Sequence, residues 1–197
     1  AVLREETDGE VVAVDADAGL LAHAPPPRVA GDATRLPFGD DGVDLVVCQA
    51  LLVNLPDPVE AIREFARVAS ERVAVIEPDN AAVTVDSTVD SESELAERAR
   101  RLYVDAAATD PAVGDASDLF AAAGIEQTTV RRYDHERNTA APYSEQALEA
   151  ARRKASGAGI DSDRETILGG ETTAEEFDRL RERWRAMGRE AIEQIRD

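Results

Sequence analysis

Two acids close short apolar runs in this chain: Asp15 follows Glu10 to Val14, and Asp32 follows Arg28 to Gly31. A carboxylate at the carboxyl end of a strand can hold the two hydroxyls of a ribose by charge-assisted hydrogen bonds. Asp15 can equally cap a helix over residues 17–23, and one carboxylate does not serve both roles fully. Asp32, directly after a glycine, also suits an ordinary turn. Its company sets it apart, because Gly31-Asp32-Ala33, Leu36-Pro37-Phe38 and Asp44-Leu45-Val46-Val47 come at short fixed intervals. Tyr103, His135, Tyr143 and Asp79 are the further groups able to touch or deprotonate a substrate. The first three have plainer roles as well: Tyr103 on a helical core face, His135 in a charged loop, Tyr143 beside a helix cap.

These acids need a scaffold that brings strand ends together. Residues 1–8 read as the tail of a helix stopped by Gly9, Glu10 to Val14 as a strand, and Leu20, Leu21 and His23 as part of a short helix broken by Pro25-Pro26-Pro27. Arg28 to Ala30 and Val43 to Cys48 are further strands, the second expected to be buried because it carries almost no polar residue. Asp57 as N-cap, Pro58 at the first position and Glu60 open a helix reaching Ser70, with Val59, Ile62, Phe65, Ala66 and Ala69 on one face. Arg72 to Ile76 is the next strand, followed by Glu77 and Asp79. Residues 80–92 show no period. Ser93 to Ala107 is a helix, then comes a loop around Asp110-Pro111. Asp115 to Ala123 is a helix closed by Gly124, and Ile125 to Tyr133 a strand. Beyond it only helices are expected: Ser144 to Ala155, stopped by Gly157, and Thr173 to Ile195. The last has a Thr173/Glu176 capping box and a stripe of Phe177, Leu180, Trp184, Met187, Ala191 and Ile195. That stripe is expected to pack on the body or on a partner rather than to form a cofactor-binding aromatic box. Strands alternating with helices describe an α/β protein with an open, mostly parallel sheet and its ligand along the carboxyl edge.

The chain has 197 residues, 41 acidic and 22 basic, for a formal charge of −19, with Lys154 its only lysine. The charge is spread along a sequence that is 43% hydrophobic, so it describes a folded protein with an acidic skin rather than a disordered tail. Adaptation to high salt accounts for such a surface, and a halophilic source is expected. No basic stripe is available to replace phosphate counterions, which opposes nucleic-acid binding. A single cysteine, Cys48, excludes an intramolecular disulfide and a cysteine-rich metal site, and no metal is expected. No apolar run approaches the roughly 20 residues of a membrane span, and no signal peptide opens the chain, so a cytoplasmic protein is expected.

The run GDATRLPFGDDGVDLVV, followed by Leu55-Pro56-Asp57-Pro58 and the helix carrying Arg63-Glu64-Phe65-Ala66-Arg67-Val68, resembles the class I S-adenosylmethionine-dependent methyltransferases. The resemblance is to the branch that includes ubiquinone- and menaquinone-biosynthesis enzymes. It extends through Glu77-Pro78 into AAGIEQTTVRRYD, covering residues 10–133. It implies a Rossmann-like core over residues 1–133, a covering insertion at 80–110 and a helical C-terminal region at 134–197 acting as substrate cover or interface. The implied cofactor is S-adenosyl-L-methionine, leaving as S-adenosyl-L-homocysteine after in-line transfer of its methyl group to a small-molecule acceptor. Carried over by position, Asp15 matches the ribose-binding acid, with Ala16 under the adenine. Asp32 matches the acid that takes the adenine amino group, with Ala33 offering a backbone N–H. Gln49 and Ala50 match the loop facing the methionine part. The family's glycine-rich loop is not found in the sequence; it belongs to a first strand that lies between the strands at 10–14 and 43–48. Some tens of upstream residues are therefore expected. The family's final antiparallel strand is not evident in 134–197. The Asn-Pro-Pro-aromatic motif is missing after Cys48, which argues against nucleobase and glutamine amino groups as acceptors.

Two other classes remain open at this stage. One is a non-catalytic member that binds the cofactor or a partner through the apolar stripe at 177–195; separately, a homodimer through the 173–195 helix is expected. The other is a nicotinamide-dependent oxidoreductase, which also uses an acid like Asp15 but leaves the Asp32 and Leu36-Pro37-Phe38 pattern unexplained.

Overall fold

A computed structural model describes residues 2–109, 116–126 and 128–196. The chain divides into two compact units, Ala1–Glu77 with Asp115–Val130, and Pro78–Gly114 with Arg131–Asp197. The expected loop at Asp110-Pro111 and the first residue of the 115–123 helix lie outside the described residues.

The first unit is α/β. It runs α1 (Val2–Glu5), β1 (Ala13–Asp15), α2 (Ala18–Ala22), β2 (Arg28–Ala30), β3 (Val43–Gln49), a 3₁₀ turn at Leu52–Asn54, α3 (Pro58–Val68), β4 (Ala69–Ile76) and α5 (Ala116–Ala122). The strands pair in parallel, β1 with β2 and β3 with β4, as two two-stranded ladders. Parallel pairing needs crossovers, and α2 and α3 supply them. Helix α3 starts where its sequence dictates: Asp57 Oδ1 accepts the Glu60 N–H at 3.0 Å and Pro58 fills the first turn. It buries Ala61, Ile62, Phe65 and Val68. Ala66, expected on that face, is exposed, because the stripe turns toward Ala61 and Val68. The helix also stops at Val68, where β4 takes over.

Several strand expectations change. β1 is three residues long, since its ladder runs only from Ala13 to Asp15, opposite Arg28 to Ala30. Among the described residues β3 is covered less on one face than on the other. Leu45 is 47% and Ile76 57% exposed, and with Ala74 they alternate along β3 and β4 opposite the better covered Val46, Cys48, Val73 and Val75. The strand expected over 125–133 forms no ladder among the described residues. Helix α5 closes with Gly124 at φ +87 and the Ile125 N–H bonded back to the Phe120 carbonyl at 2.9 Å. Beyond that close, Val130 and Tyr133 are 56% and 80% exposed. β-branched residues favour a pleat only where a neighbouring strand accepts them.

The second unit is helical: α4 (Glu92–Ala106), α6 (Glu145–Ser156), α7 (Ala158–Asp161), α8 (Arg164–Gly169) and α9 (Ala174–Arg196). α7 and α8 were not foreseen. Helix α6 ends on Gly157 at φ +85, and Thr173 and Glu176 form the expected reciprocal cap of α9, at 2.9 and 3.3 Å. The α9 stripe is spent inside this unit: Phe177, Leu180 and Met187 are buried with Val89, Leu95, Ile160 and Ile167, with Trp184 and Ala191 packed against them. Lys154 pairs with the buried Glu92, whose other oxygen accepts the Ser87 hydroxyl at 2.6 Å. Burial pushes the Glu92 carboxyl up, and these two partners more than offset it, leaving it below the usual range. No helix among the described residues is long and apolar enough to cross a membrane.

Candidate functional site

Asp15 ends β1, opposite Ala30, and its carbonyl accepts the Gly31 N–H at 3.1 Å. That register places Asp32 just past the neighbouring strand end, so both acids stand on one carboxyl edge. Asp17, not Asp15, caps α2, its Oδ1 accepting the Gly19 and Leu20 N–H groups at 2.6 and 3.2 Å. Asp15 Oδ1 accepts only the Asp17 N–H, at 2.8 Å, and its Oδ2 takes no hydrogen bond among the described residues. The competing demand for a helix cap is thus met by a different residue. Asp32 folds into an Asx turn, its Oδ1 accepting both the backbone N–H and the hydroxyl of Thr34 at 2.8 Å. The Thr34 N–H, then its hydroxyl, lower the Asp32 pKa, so the group is anionic at neutral pH, with Oδ2 exposed. Ala16 is exposed and Ala33 half-buried beside them.

The turn carrying Asp32 is clamped. A side chain at Gly31 would meet Pro37 Cδ at 2.8 Å and Val14 at 3.0 Å, so the glycine lets Pro37 close on the strand end. Glu64 Oε1, on α3, accepts the Leu36 N–H at 2.7 Å, and the same carboxylate holds Arg67 through both oxygens at 2.6 and 2.8 Å. The Arg67 guanidinium reaches on to the Phe38 carbonyl at 3.0 Å and Asp40 at 2.7 Å. The Arg67 hydrogen bond is the first cause of a lowered Glu64 pKa. Sequence reading named Glu64 and Arg67 only as letters of a pattern; their i,i+3 spacing on one helix was the signal available.

Gln49 ends β3 opposite Ile76, and both Gln49 and Ala50 are exposed. Ala50 has φ +49, its N–H donating to the Ile76 carbonyl at 2.9 Å. Glu77, just after β4, accepts the N–H groups of Leu51, Leu52 and Val53 at 3.0, 3.1 and 3.3 Å. Burial, then the Glu77 charge, pushes the Cys48 thiol up to about 12. Glu77 was foreseen only as an acid at a strand end.

Residues 1–76 match a family described as a methyltransferase domain. A 60-residue stretch is 50% identical to the demethylmenaquinone methyltransferases of Mycobacterium tuberculosis (strain ATCC 25618 / H37Rv) and Mycolicibacterium paratuberculosis, and 45% identical to that of Mycobacterium sp. (strain KMS). The resemblance to the class I quinone-biosynthesis branch holds over this stretch, and the α/β architecture with parallel strand pairs and flanking helices agrees with it. The aligned stretch covers 29% of this chain and 26% of each of these relatives. The chain thus spans about a quarter of the length of the curated relatives it matches.

All six residues assigned toward a cofactor lie within residues 1–76, at the ends of the two ladders. Asp15, Ala16, Asp32 and Ala33 share the β1·β2 edge, and Gln49 and Ala50 the β3·β4 edge. The two carboxylates each have an Oδ2 that takes no hydrogen bond among the described residues, which suits accepting hydrogen bonds from the hydroxyls of a ribose and the amino group of an adenine. Tyr103, His135, Tyr143 and Asp79 belong to the other unit. Tyr103 sits on α4, half-buried against the helical core. His135 and Tyr143 are exposed, Tyr143 next to the α6 cap Ser144. Asp79 pairs with Arg132.

Proposed function

We propose that the protein is an S-adenosylmethionine-dependent methyltransferase acting on a small-molecule acceptor. The observation that carries this reading is the pairing of Asp15 and Asp32 at one parallel strand edge, each keeping one carboxylate oxygen unengaged, inside the stretch that matches the family. In this reading Asp15 holds the ribose hydroxyls, Asp32 takes the adenine amino group, Ala16 and Ala33 flank the ring, and Gln49 and Ala50 face the methionine part. Bound S-adenosyl-L-methionine supplies a methyl group already activated on a sulfonium sulfur. The chain's own task is then alignment, and orientation can lower a barrier by about 7–11 kcal/mol. No general base is assigned: Tyr103 packs against the helical core, and His135 and Tyr143 are exposed in the other unit. Acceptor selection is assigned to the helical unit, outside residues 1–76 that match the family.

The relatives' name makes a demethylmenaquinone-type acceptor the first to assay. The test is transfer of label from methyl-labelled S-adenosyl-L-methionine by the full-length protein, first to that acceptor and then to fractionated cell extract. Label in a small organic product supports the reading; absence of transfer to any fraction, with cofactor binding also absent, ends it.

A further inference from the structure

The 50–54 turn after β3 is fixed more heavily than a surface turn needs. Ala50 lies in the left-handed region, at φ +49, where a residue with a Cβ persists only when its surroundings over-determine it. Here they do. Its N–H donates to the Ile76 carbonyl at 2.9 Å, and its own carbonyl accepts from the Asn54 amide at 2.8 Å. The next three backbone N–H groups all converge on the one carboxylate of Glu77. Leu52 and Val53 are buried below the turn, 1% and 7% exposed, so the turn cannot slide. The side chain of Gln49, at the end of β3, is exposed and takes no hydrogen bond among the described residues.

We propose that Glu77 is a positioning residue for the methionine end of the cofactor: it holds the Gln49-Ala50 strand end in the one conformation that presents Gln49 to the amino-acid part. The inference rests on the methyltransferase reading of the same edge. A carboxylate is required because it alone offers several acceptor lone pairs and no donor. A glutamine of the same shape turns an N–H₂ group toward one of the three N–H donors, so part of the turn loses its partner. Asn54 supports Ala50 from the other side, and its loss relaxes the same peptide without touching β4.

The test compares Glu77→Gln and Asn54→Ala with the unsubstituted full-length protein, by calorimetry with S-adenosyl-L-homocysteine and with 5′-methylthioadenosine, which lacks the amino-acid part. Glu77→Gln should weaken the first by roughly tenfold, the scale of one charge-assisted hydrogen bond, and leave the second within about twofold. Asn54→Ala should move the two ligands in the same unequal way. Amide exchange at Leu51, Leu52 and Val53 should accelerate in Glu77→Gln. A purely structural role weakens both ligands alike, and that result, or no change in either affinity, overturns the inference while leaving the methyltransferase reading in place. No binding of either ligand by the unsubstituted protein overturns both, so the two failures are distinguishable.

Discussion

Replacing Glu64 by alanine tests the clamp that shapes the Asp32 turn. Alanine is the best helix former, so α3 itself loses nothing, and the effect isolates the carboxylate. The Glu64 side chain is 12% exposed and that of Arg67 36%. Truncation strands the part-buried Leu36 N–H, which costs about 1–3 kcal/mol for an unsatisfied donor. The guanidinium keeps Phe38 and Asp40 and is reached by water, so loss of the ion pair itself adds only about 0.5–1 kcal/mol. Together the change is about 1.5–4 kcal/mol, against about 0.5 kcal/mol or less for removing Arg179, whose partner Glu175 is 82% exposed. Urea unfolding followed by circular dichroism measures both variants, with amide exchange at Leu36 as the local readout. The pH dependence has a fixed sign. The folded pKa of Glu64 lies below its unfolded value of about 4.3, so its contribution is complete above that value and is lost as pH falls through the folded pKa. The difference between parent and Glu64→Ala should therefore be constant at neutral pH and shrink in acid. A variant as stable as Arg179→Ala, or a difference that grows on acidification, refutes the reasoning.

Other consequences are equally direct. A Cβ at Gly188 of α9 would sit 2.2 Å from the Ala155 nitrogen of α6, so Gly188→Ala should lose more to backbone clash, about 1–3 kcal/mol or more, than the ~1 kcal/mol it gains in helix propensity. Gly159→Ala, with nothing within 4 Å, should hold or raise stability; Trp184 fluorescence, which reports on the same helical unit, measures both. Cys48, pushed up to about 12, should resist alkylation by iodoacetamide at mildly alkaline pH, and Glu77→Gln should speed it by removing the adjacent charge; mass spectrometry follows the adduct. At molar salt the Debye length falls to about 3 Å, so a −19 surface stops repelling itself and the thermal midpoint should climb steeply with KCl. A flat response removes halophilic adaptation as the cause of the acidity.

Much of the first unit was legible because its signals are local. β2 falls on Arg28–Ala30 as expected, Asp57 and Pro58 open α3, and Gly124 stops α5 at positive φ, as Gly157 stops α6 in the second unit, each set by a few neighbouring residues. The α9 stripe was legible from its period, and the core it fills was not, since Val89, Ile160 and Ile167 come from segments without a period of their own. The same limit hid α7 and α8, which are four and six residues long. Strand character at 125–133 misled because β-branched residues signal a pleat only when a partner strand exists. At the site, Asp15 and Asp32 could be placed from strand ends and the family pattern. The identity of the α2 cap could not, because Asp15 and Asp17 are equally able acids two residues apart. The roles of Glu64 and Glu77 depend on contacts across 28 and 26 residues, at Leu36 and Leu51, which no local pattern encodes.

Calorimetry on the full-length protein with S-adenosyl-L-methionine, S-adenosyl-L-homocysteine and NAD tests the central claim most directly. The account predicts that the first two bind and NAD does not, and that Asp15→Ala and Asp32→Ala each weaken binding by about 10- to 100-fold, as expected for a lost charged hydrogen bond. Binding of NAD alone, or of none of the three, contradicts it.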